Sequence, residues 1–260
     1  MIPVSDDNPT VRPSLMTWLI LAALGVVWVV VQGAGFDDRL VRSVCNLGMV
    51  PGEVTRLAPL GTGVALSDDL RCVVDGEAIN RWTPVLSMFL HGGWGHLLGN
   101  ALFLWVFGNN VEDVMGAGRF LAFYLVCGLA AAAAHVAVDP RSIVPTVGAS
   151  GAISGVMGAY LLLFPRVRVR MLFIFGIFFR VIPVPAWAVL LWWFAIQLLS
   201  GLPQLAGLGD MGGGVAVWAH VGGFVAGVLL IRFFQSPTLV AERRAILLRR
   251  GLLEDAGPAT

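Results

Sequence analysis

Val147–Gly158, VGASGAISGVMG, sets a serine between glycines at the start of an apolar run. Read as a helix beginning near Gly148, the stretch places Ser150 in the first turn, where backbone N–H groups lack intrahelical partners and the helix dipole is positive. A hydroxyl there has an anion-stabilising site beside it. Gly148 and Gly151 keep side chains away from that hydroxyl, so another backbone can approach closely, which suits attack on a peptide carbonyl. The competing reading is that Gly, Ala and Ser simply let membrane helices pack. The rest of the chain decides between them.

Hydrophobic residues make up 57% of the 260 positions and charged residues 13%, with a mean hydropathy of +0.82. That composition is a membrane protein's rather than a soluble domain's. Every basic residue is arginine and the net charge is +1, so nothing points to a nucleic-acid partner. Apolar runs recur at 15–33, 94–111, 120–138, 147–164, 185–200 and 215–234. The expected fold class is an all-α polytopic membrane protein, a bundle of six transmembrane helices with a long outer loop between helices 1 and 2. Residues 1–14 read as a short disordered cytoplasmic start, 15–234 as the membrane domain, and 235–260 as a cytoplasmic basic tail with an amphipathic helix near Glu242–Arg250.

Arginine placement orients the bundle. Arg119, Arg166, Arg168, Arg170, Arg243, Arg244, Arg249 and Arg250 fall on one side, and Arg141 alone lies in the short loops opposite, so both termini are expected in the cytoplasm. The apolar run Leu15–Val31 exceeds a usual signal-peptide core and follows a segment of mixed charge. It therefore reads as a retained span, and with no mitochondrial-type presequence the chain fits a bacterial inner membrane. Met171–Ile182 is apolar but broken by Gly176, Arg180 and neighbouring prolines, and it follows the alternating Arg166-Val-Arg168-Val-Arg170. It reads as a short interfacial hairpin. The three cysteines show no metal or redox spacing; Cys127 sits in an apolar run, and Cys45 and Cys72 share the outer loop, where a disulfide between them can form.

An ionisable residue inside a span is costly and so marks function. His220 lies in the last span, at a depth similar to that of Ser150 because both helices start from the same side. Ser150, Ser154 and Gly158 form an i, i+4, i+8 stripe, and His220, Gly223 and Gly227 share a face on the last span. If those stripes pack together, the imidazole meets the hydroxyl as general base to nucleophile. At the start of the second span, His96 and Asn100 are i, i+4 and can point at one place as donors to an oxyanion, supplementing the Ser150 N–H. His91 lies about 140° from His96 on an ideal helix, which argues against a zinc pair there. A metal site from His96, His135 and His220 is the weaker alternative. No Asp or Glu lies in the spans near these groups, so a Ser150–His220 dyad is expected rather than a triad.

Together these residues resemble the rhomboid family of intramembrane serine proteases. The resemblance runs from Trp82 to Leu230: His91, His96 and Asn100 in a His-x4-His-x3-Asn pattern, Gly148, Ser150 and Gly151 in Gly-x-Ser-Gly, and Ala219, His220, Gly223 and Gly227 in Ala-His-x2-Gly-x3-Gly. It implies a six-helix core with an active site below the outer surface, Ser150 as nucleophile, His220 as base, and His96 and Asn100 in the oxyanion hole. His91 is then structural. Two positions depart from the family pattern: Trp82-Thr83 stands where Trp-Arg is usual, with Arg81 ahead of the Trp, and Ser154 stands where an aromatic usually packs on the imidazole.

The function this implies is an endopeptidase that cuts single-span or polytopic membrane proteins in or beside a transmembrane helix, with no metal or organic cofactor and no nucleic acid involved. Water would reach the site through the glycine-rich stretches Gly92–Gly95 and Gly212–Gly214. Two other classes compete. A non-catalytic helix-binding protein would be expected to lose the serine or histidine kept here, and a transporter would be expected to show repeated halves that this chain lacks.

Overall fold

The structure, a computed structural model of the 260-residue chain, describes residues 2–36, 38–65, 71–176, 178–205 and 216–252. In chain order the elements are β1 (Ile2–Asp6), α1 (Leu15–Val26), α2 (Asp38–Leu47), α3 (Pro51–Thr55), β2 (Gly63–Ala65), β3 (Arg71–Val73) and α4 (Thr83–Leu86). They are followed by α5 (Trp94–Met115), α6 (Ala117–Val138), α7 (Ser150–Leu163), β4 (Arg168–Phe175), β5 (Phe178–Pro185), α8 (Ala186–Leu205), α9 (Val217–Phe234) and α10 (Pro237–Arg249). Short 3-10 and π turns link several of them.

Among the described residues three helices are long and apolar enough to cross a membrane: Ala117–Val138, Ala186–Pro203 and Val217–Phe234. The chain is an integral membrane protein, mostly helical. α5 matches α6 at 22 residues but carries His96, Asn100, Asn109, Asn110, Glu112 and Asp113. α7 is shorter, at 14 residues.

The bundle centre is a packed aromatic and aliphatic core. Leu104, Phe107, Phe120, Phe123, Tyr124, Val156, Met157 and Tyr160 are fully or almost fully buried, with Phe107 and Tyr160 meeting edge to face at 5.0 Å. Large apolar side chains also face outward, among them Trp187, Trp192, Leu199, Leu229 and Phe233. α7 and α9 approach most closely. A Cβ at Gly223 would collide with the Gly151 carbonyl and one at Gly227 with the Gly155 carbonyl, so only glycine permits the contact. The glycines of α7 that lie against the α9 backbone are therefore Gly151, Gly155 and Gly158, so of the expected Ser150–Ser154–Gly158 stripe Gly158 is in this row and Gly151 and Gly155 take the places of the two serines.

Two expectations need correction. The fold is not all-α: β4 and β5 form an antiparallel hairpin, in register from Arg168↔Pro185 to Phe175↔Phe178, and β1 pairs with β4 to make a three-stranded sheet in the order β1-β4-β5. The N-terminal segment is thus a strand rather than a disordered start, because β4 offers an open edge on which Ile2–Asp6 pairs, with Pro3 buried. The tail forms a helix, as expected, and is tied to the N-terminal segment. α10 buries Arg243, whose Nε donates to Asp113 Oδ2 at 2.9 Å and whose Nη2 donates to Asn8 Oδ1 at 2.6 Å and to the Pro9 carbonyl at 3.0 Å.

Asp113 also accepts from the backbone N–H groups of Val11 and Arg12, and the neighbouring Glu112 accepts from Met16 N, Thr17 N and Thr17 Oγ1 at 2.7–2.8 Å. Glu112 therefore caps the first turn of α1 from another helix, a job Ser14 leaves undone. At the other end of the molecule, β2 and β3 form a small ladder and a Cys45–Cys72 disulfide ties α2 to β3, with Cα atoms 4.9 Å apart. The possibility left open by the sequence is thereby realised.

Candidate active site

Ser150 opens α7 two residues after Gly148, whose φ of +131° suits glycine and no bulkier residue. The Gly148 N–H donates to the Ser87 carbonyl at 2.9 Å, which pins the turn. As the first residue of its helix, Ser150 offers a backbone N–H that has no intrahelical acceptor. Ser154, one turn on, is buried and donates its hydroxyl back to the Ser150 carbonyl at 2.6 Å.

The close α7–α9 contact carries His220 to the serine. His220 Nε2 lies 2.7 Å from Ser150 Oγ, with the imidazole almost wholly buried. This is hydrogen-bond distance for a nucleophile and its base. Two residues that the sequence reading missed hold the other side of the ring, both from α8. Gln197 Oε1 lies 2.9 Å from His220 Nδ1, and the Trp193 ring stands 5.8 Å from the imidazole centroid, tilted by 40°. The signal for Gln197 was present: an amide in the apolar run of α8 is costly, just as an ionisable group is. For Trp193 there was none, since α8 carries three tryptophans.

α5 supplies the second cluster. The Gly92 N–H donates to His96 Nδ1 at 3.3 Å, so in the neutral ring Nε2 carries the proton and is a donor. The same ring touches the Ser150 turn, because a Cβ at Gly148 would come 2.7 Å from His96 Nε2. Asn100, one turn along, is buried, and its Nδ2 has no partner among the described residues. A buried, unpaired donor is costly unless it is reserved for something absent from the resting protein. His91 does not join the cluster by hydrogen bonding: its ring lies edge to face with His96 at 5.2 Å. Burial pushes its imidazole down to about 4, keeping it neutral. Its backbone is clamped by Gln32, which donates to the His91 carbonyl and accepts its N–H, both at 2.8 Å.

His135 instead bonds Thr146 Oγ1 at 3.0 Å, and among the described residues no three His, Cys, Asp or Glu side chains are grouped to hold a metal. Arg81 and Trp82 are exposed, while Thr83, in the position where the family often has arginine, is buried and donates to the Asn80 carbonyl. Gly92–Gly95 border the site, whereas Gly212–Gly214 lie outside the described residues.

The site is thus a hydroxyl at a helix N-terminus, bonded to a buried imidazole inside a helical membrane bundle. Residues 79–236, more than half the chain, match the model of the rhomboid domain, and the chain belongs to the rhomboid family. It is 42% identical over 89 residues to Rhomboid protease GluP of Bacillus subtilis, covering 34% of this chain and 16% of that one. It is 35% identical over 147 residues to the mitochondrial Rhomboid protein 1 of Saccharomyces cerevisiae, covering 55% and 39%. To Rhomboid-like protease 5 of Toxoplasma gondii it is 35% identical over 152 residues, covering 56% and 15%. The aligned part thus spans well under half the length of each of these relatives.

Proposed function

We propose that this protein is an intramembrane serine endopeptidase that cleaves membrane-protein substrates within or next to a transmembrane helix. The observation that carries the reading is the 2.7 Å approach of His220 Nε2 to Ser150 Oγ. Ser150 Oγ adds to the scissile carbonyl as its proton passes to His220 Nε2. The oxyanion is met by the Ser150 N–H, His96 Nε2–H and the Asn100 amide. Collapse breaks the C–N bond, the leaving amine takes the proton from the imidazolium, and an acyl-enzyme remains. Water then attacks the ester with His220 again as base. The chemistry calls for no metal and no organic cofactor.

The reading includes six spans at 15–33, 94–111, 120–138, 147–164, 185–200 and 215–234, the site near the outer face, and both termini in the cytoplasm of a bacterial cell. It is supported by the arginine asymmetry and by the sheet and α10, which gather both ends of the chain on one side. A reporter fused to either terminus reads its side. A helical substrate shields its peptide bonds with its own hydrogen bonds, so substrates with helix-weakening residues at the cut are favoured.

The test is cleavage of a fluorescent transmembrane peptide by the reconstituted protein. Ser150→Ala and His220→Ala should abolish cleavage, and His96→Ala should lower it about 100–1,000-fold. If Ser150→Ala cleaves as well as the wild type, the protease reading fails and a helix-binding role takes its place.

A further inference from the structure

Deepening the protease reading, on which it rests, we infer that Gln197 is a positioning residue: its side-chain carbonyl fixes the His220 tautomer and ring plane in which Nε2 faces Ser150. A neutral imidazole carries one N–H. For Nε2 to take the Ser150 proton, that N–H must sit on Nδ1, and a buried Nδ1–H needs an acceptor. Gln197 Oε1, 2.9 Å from Nδ1, supplies it. The amide thus occupies the place of the carboxylate in a Ser-His-Asp triad.

Three further observations support this assignment. Among the described residues the ionisable groups that act electrostatically on His220 are His96 on α5 and His135 on α6, and neither is a carboxylate. His96 Nδ1 is engaged by Gly92 and His135 Nε2 by Thr146, so the hydrogen bond on His220 Nδ1 comes from α8. Trp193, four residues before Gln197 and so on the same helix face, lies against the imidazole and limits its rotation. One face of α8 therefore sets both the plane and the proton position of the base. It also replaces the aromatic contact expected from the residue at Ser154, whose hydroxyl is turned back on its own helix. A neutral amide orients the ring without adding charge, which suits a site within an apolar span better than a carboxylate would.

The experiment compares wild type, Gln197→Leu, Gln197→Glu and Ser150→Ala in proteoliposomes, reading kcat and KM for the transmembrane peptide and the rate of labelling by a fluorophosphonate. Gln197→Leu keeps the volume and removes the acceptor; kcat and labelling should fall together about 10–100-fold at unchanged KM. Gln197→Glu keeps an acceptor and should restore both to within a few-fold of wild type. Gln197→Leu at wild-type rates overturns the inference, as does an equal loss in both variants accompanied by a lowered melting temperature, which marks a packing role. If wild type itself neither cleaves nor labels, while Ser150→Ala behaves identically, it is the protease reading that fails.

Discussion

The two ends of the bundle treat buried polar groups in opposite ways. At the end near Ser150, a buried donor is left open: Asn100 Nδ2 has no partner among the described residues, one helical turn from His96, whose Nδ1 accepts from the Gly92 N–H. At the end that carries both termini, the buried carboxylates are saturated. Asp113 takes two backbone N–H groups and Arg243, Glu112 takes the first turn of α1, and Asp6 accepts from Tyr160 OH and Asn110 Nδ2. Burial makes unpaired groups costly, so the paired carboxylates hold structure, and under the proposed function the open Asn100 donor is the one that a substrate oxyanion completes. On one helix, α5, the buried Asn100 Nδ2 thus differs from the equally buried Glu112 and Asp113 in lacking a partner among the described residues.

Substitutions should split along that line. The largest effect on stability is expected at Asp113→Ala, which strands Arg243 and two backbone donors. Unfolding free energy in detergent should drop by about 3–5 kcal/mol, while the activity of the protein that remains folded stays near wild type. Asn100→Ala should behave inversely. Cleavage should fall about 100-fold, with an unfolding midpoint close to wild type, since an amide with an unpaired donor contributes little to stability. Matching losses of stability in both variants would erase the distinction.

Asp6 gives the smallest effect and a sign. Burial raises its carboxyl to about 6, partly offset by the Tyr160 hydrogen bond. An acid raised above its unfolded value binds more protons when folded, so its contribution to stability is present at low pH and is lost as pH rises between about 4 and 6. Melting of the wild type relative to Asp6→Asn should therefore improve as pH is lowered from 7 to 5. A constant difference across that range would mean Asp6 titrates normally.

Much of this was readable in the chain. Composition and the six apolar runs announced a membrane protein, and the His91/His96/Asn100, Gly148/Ser150/Gly151 and His220/Gly223/Gly227 patterns led to the rhomboid family. The alternation at Arg166–Arg170 and the break at Gly176 announced the hairpin. Less was readable where the partner lies far away. Arg243 looked like tail charge because nothing nearby indicates that Asp113, 130 positions earlier, receives it. Ile2–Asp6 is too short to form a strand without the edge of β4. Gln197 stands in an apolar run with no patterned neighbour, and only the packing of α8 on α9 gives it a partner.

What the sequence determined by itself is what local chemistry dictates: which segments are apolar enough for lipid, where a serine heads a helix, and which helix faces are lined with glycine. Tertiary structure decided which groups become partners. It put Gly151 and Gly155, with Gly158, against the α9 backbone, brought His220 to Ser150, and set Gln197 and Trp193 against the imidazole. The physical reason is that hydrophobicity and helix periodicity act within about a turn of chain. A hydrogen bond to a buried ring depends instead on how three helices pack, to within a few tenths of an ångström.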